Sequence, residues 1–141
     1  MKIEEKLVKT LTARSLSLCT AESCTGGLIA GRITSVPGAS ASFEGGVVTY
    51  SNRAKTALLG VPAEVIERHG AVSGEVARAM AEGARERLGT DIAVAVTGIA
   101  GPAGGSPEKP VGTVFISLAA RGTASVRGFL FEGTRREIRR R

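Results

Sequence analysis

Short apolar runs alternate with stretches of helical periodicity along most of the chain, and this interleaving constrains the fold more than any other feature. The clearest run is Ile92-Ala93-Val94-Ala95-Val96-Thr97, whose β-branched and small residues fit a buried strand. A strand is also predicted over about residues 16–21, opened by Leu16-Ser17-Leu18-Cys19, and another at Gly46-Val47-Val48-Thr49-Tyr50. Around these, Ile3, Leu7, Val8 and Leu11 recur at helical spacing over residues 2–13. A helix over about 25–35 ends at Val36-Pro37-Gly38, and residues 39–44 form a turn or short helix. Ser51 caps a helix running through Lys55 to Leu59, and Pro62 opens another to about Arg68. Ser73 caps a long helix with one apolar face, Val76, Ala77, Met80, Ala81, Ala84 and Leu88, stopped by Gly89. Runs 111–120 and 124–132 flank Arg121-Gly122 as a hairpin, and a last helix begins near Thr134. The predicted fold class is therefore α/β. It is a three-layer α/β/α sandwich with a mixed, mostly parallel sheet of about five strands, in one domain over residues 1–141.

Composition narrows the function classes. At 141 residues with 43% hydrophobic and 23% charged residues, the chain can bury a core of its own. No apolar stretch approaches the roughly 18 residues of a membrane span, and the charged start, Met1 to Lys6, does not read as a signal peptide. A cytoplasmic location is expected. Two cysteines, one histidine and one aspartate argue against a metal site, and no cofactor is expected. The net charge is +6, but five of the arginines lie in residues 134–141, so the chain is not broadly basic and nucleic acid is not the expected partner.

Two loops carry the chemistry. Glu22-Ser23-Cys24-Thr25-Gly26-Gly27 follows the first strand and leads into a helix, a turn whose free backbone N–H groups suit an anion or oxyanion. Ser23 and Thr25 serve either as caps or as ligand contacts there, and Glu22 can compensate the helix dipole. Cys24 could act as a thiolate, although the lone His69 fits a helix-end cap better than a base. The second loop, Gly98 to Pro107, is glycine-rich and follows the strand ending at Thr97, so a ligand can approach its backbone closely. In such sheets ligands bind beyond the carboxyl ends of strands, which brings both loops to one cleft if those strands are parallel neighbours. Among only five lysines, Lys55 alone stands just beyond an apolar strand, close behind Tyr50. Burial would lower its pKa and make it a general base; solvated, it is an ordinary helix lysine.

Several segments taken together resemble one known family. They are Thr20 to Gly27, Gly46 to Asn52 with Lys55, His69 to Ser73, and Thr97 to Pro102 with Lys109 to Val114, and they resemble the CinA C-terminal domain family, in order from about residue 5 to the end. The resemblance implies a nicotinamide-nucleotide amidase that converts nicotinamide mononucleotide to nicotinate mononucleotide and ammonia, in pyridine-nucleotide recycling. It implies a Ser-Lys pair without metal, carried here onto Ser40, in Pro37-Gly38-Ala39-Ser40, as nucleophile and Lys55 as base. Tyr50 and Thr97 would line the site, with Tyr50 assisting positioning or proton transfer. Glu22, Ser23, Thr25, Gly26 and Gly27 would form the wall and anion cradle, with Gly98 and Gly101 of the second loop and Arg135 and Arg139 of the last helix also contacting substrate. The family's last helix usually runs well past residue 141, so a shortened C-terminal helix is expected, and nothing matches the nucleotide-hydrolysing domain of longer members. The expected partners are a small nucleotide substrate and, as assembly, a second copy in a homodimer. Two rivals stand beside this reading: an amidase using Cys24, and a non-catalytic nucleotide- or DNA-binding module.

Overall fold

A computed structural model describes all of residues 1–141. Five strands, β1 (Leu18–Glu22), β2 (Phe43–Val48), β3 (Ile92–Gly98), β4 (Thr113–Ala120) and β5 (Thr123–Leu130), form one sheet in the order β2-β1-β3-β4-β5. β1 pairs in parallel with both β2 and β3, whereas β4 is antiparallel to β3 and to β5. Four strands therefore point one way and β4 alone points back. The chain leaves β1 to one side for β2 and returns to its other side for β3, which makes the carboxyl end of β1 the place where strand order reverses.

Helices α1 (Ile3–Ala13) and α2 (Leu28–Thr34) lie on one face of the sheet, where Val8, Leu11 and Ile33 close over Leu18. Helices α3 (Asn52–Leu59), α4 (Ala63–His69) and α5 (Gly74–Leu88) cover the other, with Leu59, Ile66, Val76, Met80 and Ala81 packed on Cys19, Ala21, Ala93 and Ala95. The period-2 alternation of a strand sorts β1 between these layers: Cys19 and Ala21 face α5, and Leu18 faces α1 and α2. The three layers match the sequence reading. The inner face of α5 is mostly alanine and glycine, so α3 packs very close; a Cβ at Gly83 would run into the Leu59 carbonyl. No helix is long and apolar enough to cross a membrane.

The predicted caps are present. Ser51 Oγ accepts from Ala54 N (3.0 Å) and Ser73 Oγ from Val76 N (3.2 Å), while Gly89 ends α5 at φ 66°. Several boundaries moved, two of them for local reasons. α2 begins at Leu28 rather than near residue 25, because Gly26 and Gly27 take positive φ (57° and 103°) and turn the chain first. β2 starts at Phe43 rather than Gly46, because a 3₁₀ turn over Ala39–Ala41 delivers the chain directly into register opposite Leu18. The last helix, α6 (Arg135–Arg140), is capped by Thr134 and anchored by Ile138, which is buried against Cys24, Val96 and Val114.

Candidate active site

Ser23 stands one residue past the end of the central parallel strand, continuing the side of β1 that carries Cys19 and Ala21. Its own amide bonds to Val96 O (3.0 Å), and Glu22 O accepts from Thr49 N (2.8 Å), so the neighbouring strands hold both ends of this peptide step. On the same face, α3 turns Lys55 and Leu59 inward at i,i+4 spacing. Leu59 joins the core, and the Lys55 side chain, 1% exposed, brings its ammonium to the carboxyl edge of the sheet.

There Lys55 Nζ lies 3.0 Å from Ser23 Oγ, 3.0 Å from the Thr49 carbonyl and 3.4 Å from the Tyr50 carbonyl. No carboxylate pairs with it. Burial pushes its pKa below the usual 10.5, with only the neighbouring Cys24 pulling the other way. A neutral amine has two N–H donors and one lone pair. In that form the two carbonyls would take both donors and the lone pair would be left for the Ser23 hydroxyl. A hydroxyl and a buried amine are thus within direct hydrogen-bond reach, the arrangement a nucleophile and its base require.

Glu22 explains the rest of this turn. Its carboxylate is buried on the α2 side and accepts from Thr25 Oγ1 (2.6 Å), Gly27 N (3.1 Å), Ile29 N (3.0 Å) and Ala30 N (2.9 Å). The chain's own carboxylate therefore occupies the helix N-terminus that the sequence reading reserved for a bound anion. Gly26 and Gly27 shape the turn around it. The anion cradle at residues 22–27 is corrected in part: the Gly27, Ile29 and Ala30 donors are already taken, because Glu22 is the nearest anion and needs no ordering from solvent.

Ser40 requires the larger correction. It lies exposed on the 3₁₀ turn that precedes β2, whereas Lys55 follows the other end of that strand. Six strand residues at about 3.3 Å each separate the two positions. The pairing of Ser40 with Lys55 fails because a strand has two ends and these residues belong to opposite ones. A sequence signal for Ser23 did exist: it continues the parity of Cys19 and Ala21, at the same sheet edge as the residue after Tyr50.

The other named residues gather around this edge with definite tasks. Thr97 is buried and its hydroxyl donates to Ala71 O (2.8 Å), tying down the loop before α5. Gly98 fits between Val114, the Thr113 carbonyl and Cys24 Sγ, where a Cβ would clash. Arg135 spans two loops, with Nη2 donating to the exposed Tyr50 hydroxyl (2.8 Å) and Nη1 to the Gly101 carbonyl (2.7 Å). Arg139 donates from Nε to Cys24 O (2.9 Å) and from Nη2 to Thr25 O (3.4 Å). The side chain of Cys24 points to the opposite face from Ser23, into the cluster with Ile138, and burial pushes its thiol pKa up. That is the reverse of what an activated cysteine needs. His69 ends α4 beside Glu75 (3.7 Å), as a helix-end residue.

The comparisons with known proteins agree with one another. A family model described as the CinA C-terminal domain matches residues 1–141. A CinA-like protein of Citrifermentans bemidjiense is 57% identical over 138 residues, 98% of this chain and 33% of the relative. One of Geotalea daltonii is 64% identical over 128 residues, 91% of this chain and 30% of the relative. The chain thus spans about a third of the length of the curated relatives it matches. Among solved structures, the competence/damage inducible protein CihA of Agrobacterium tumefaciens has a TM-score of 0.94 at 47% identity, over 96% of this chain and 84% of that one. A CinA superfamily protein of Escherichia coli has a TM-score of 0.93 at 36% identity, over 96% and 79% of the two chains. With its whole length matched and its fold shared, the chain belongs to the CinA C-terminal domain family.

Proposed function

We propose that this domain is an amidohydrolase that deamidates nicotinamide mononucleotide, with Ser23 as nucleophile and Lys55 as its base. The observation that carries the chemistry is the buried, unpaired Lys55 amine 3.0 Å from the Ser23 hydroxyl. The substrate follows from the family resemblance of the segments around both residues. In the first step Ser23 Oγ bonds to the carboxamide carbon while its proton passes to Lys55 Nζ. Lys55 then returns that proton to the departing nitrogen, ammonia leaves, and an ester on Ser23 remains. Water attacks the ester, its proton again going to Lys55, and nicotinate mononucleotide is released with Ser23 restored.

Lys55 suits this double role because burial, not a neighbouring histidine, lowers the pKa of its amine. The substrate phosphate is assigned to the glycine loop 98–105, since Glu22 fills the α2 terminus. Arg135, which already reaches Gly101 and Tyr50, stands beside that loop. Ammonia release measured over a panel of pyridine nucleotides and simple amides tests the reading. Release from nicotinamide mononucleotide that Ser23→Ala abolishes is expected. Release that persists in Ser23→Ala would overturn the nucleophile, and no release from any pyridine nucleotide would overturn the substrate.

A further inference from the structure

The amides of the turn from Ser23 to Ala30 have partners with two conspicuous exceptions, Cys24 and Thr25. Ser23 N bonds to Val96 O, Gly26 N to Ser23 O, and Leu28 N to Thr25 O, while Gly27, Ile29 and Ala30 donate to Glu22. The Cys24 N–H donates to no group of the protein. The Thr25 N–H donates to no group of the protein, although Thr25 is buried. Both residues are buried, and native structures rarely leave the amides of such residues without a partner, which makes these donors features to be explained.

The opposite edge of the same peptide group is held firmly. The Cys24 carbonyl accepts from Arg139 Nε at 2.9 Å. In a trans peptide the C=O and N–H are coplanar and point in opposite directions. Arg139 sits on α6, which packs with Ile138 over the α2 face of the sheet against Cys24, Val96 and Val114. Drawing the Cys24 carbonyl toward that face turns the Thr25 N–H toward the other, where Ser23 Oγ and Lys55 Nζ lie. A guanidinium on the carbonyl is also a charge-assisted bond that polarises the peptide and strengthens its N–H as a donor. The turn is built to admit it: Gly26 has φ +57°, and a Cβ there would come within 3.0 Å of Arg139 Nη2.

We infer that the Thr25 N–H is an oxyanion donor for chemistry at Ser23, and that Arg139 is the positioning residue that aims and polarises it. This rests on the reading of Ser23 as nucleophile. Arg139 never meets substrate in this scheme; it acts through the Cys24–Thr25 peptide. The donor strengthens its bond as charge develops on the tetrahedral oxygen, so it contributes to the transition state more than to ground-state binding.

The test compares wild type, Arg139→Ala and Arg139→Lys in two reactions. One is ammonia release from nicotinamide mononucleotide. The other is inactivation by a fluorophosphonate, in which a Ser23 O–P bond forms, fluoride leaves, the hydroxyl proton passes to Lys55, and the phosphoryl oxygen takes the oxyanion position. Arg139→Ala is expected to slow both kcat and the inactivation rate by about 10- to 100-fold, with KM changed less than about twofold. Tens of millimolar guanidinium should restore part of the loss, and Arg139→Lys, which keeps one charged donor, should fall between. Wild-type labelling rates in Arg139→Ala, or a loss confined to KM, would overturn the inference. If Arg139→Ala does not fold, Arg139→Lys decides by the same split between kcat and KM. A wild-type protein that labels at Ser23 but releases no ammonia refutes the substrate while the labelling rates still decide the role of Arg139. A wild-type protein that does not label at Ser23 refutes both.

Discussion

Ser23 and Ser40 both stand in glycine-bordered turns beside the sheet, one at its carboxyl edge and one at its amino edge. At the carboxyl edge, parallel β1 is flanked by parallel neighbours, and three loops converge: 22–27, 49–51 and 98–105. That convergence buries Ser23 and Lys55 together and leaves an amine with no counter-ion. At the amino edge, the 3₁₀ turn bearing Ser40 only carries the chain into β2; its serine is exposed and no side chain donates to it. The same residue type becomes a candidate nucleophile or an inert turn residue according to which end of a strand it follows. Sheet direction, more than local sequence, makes the difference.

The contrast is sharpest for Lys55. Lys55→Met should lower kcat about 1,000-fold, the range general-base catalysis contributes, as measured by steady-state ammonia release. A pH series probes the same group. Its folded-state pKa lies below the 10.5 of an unperturbed lysine, so above the folded value the unfolded chain holds more protons than the native one. Burying the charged form therefore costs stability at lower pH, and that cost fades as pH climbs through the folded pKa toward 10.5. Urea unfolding should show wild type gaining stability relative to Lys55→Met over that window, with activity rising alongside as the amine deprotonates. A difference between the two proteins that is flat with pH would mean that Lys55 is not desolvated. Next in size is the cap: Glu22→Ala strips four donors of their acceptor and should cost about 3 kcal/mol in urea unfolding. At the other edge, Ser40→Ala should shift stability by less than about 0.5 kcal/mol and leave turnover unchanged. A large loss there would erase the distinction between the two ends.

How much of this was legible in the sequence depends on the range of the interaction. The layers, the Ser51 and Ser73 caps and the Gly89 stop are local or periodic, and the chain displays them directly. Lys55 was visible as a candidate from its place beyond an apolar strand, although spacing alone favoured a solvated helix lysine. Its partner was not, because the choice between Ser23 and Ser40 turns on strand direction, which takes shape only when β1, β2 and α3 come together. The role of Glu22 was hidden for a related reason: a carboxylate before a helix can recruit an anion's donors or consume them, and only the closed turn shows that it consumes them. Arg139 reaches back across more than a hundred residues to Cys24, a contact no spacing rule announces.

The central claim is that an acyl group passes through Ser23 with Lys55 as its base. Rapid acid quenching of the enzyme during turnover of nicotinamide mononucleotide, followed by peptide mass mapping, observes that intermediate. The expected result is a nicotinoyl-nucleotide ester on the peptide containing Ser23, at Ser23 itself, and lost on substitution to alanine. An adduct at Ser40 or Cys24, or steady turnover in the Ser23→Ala protein, would contradict the account.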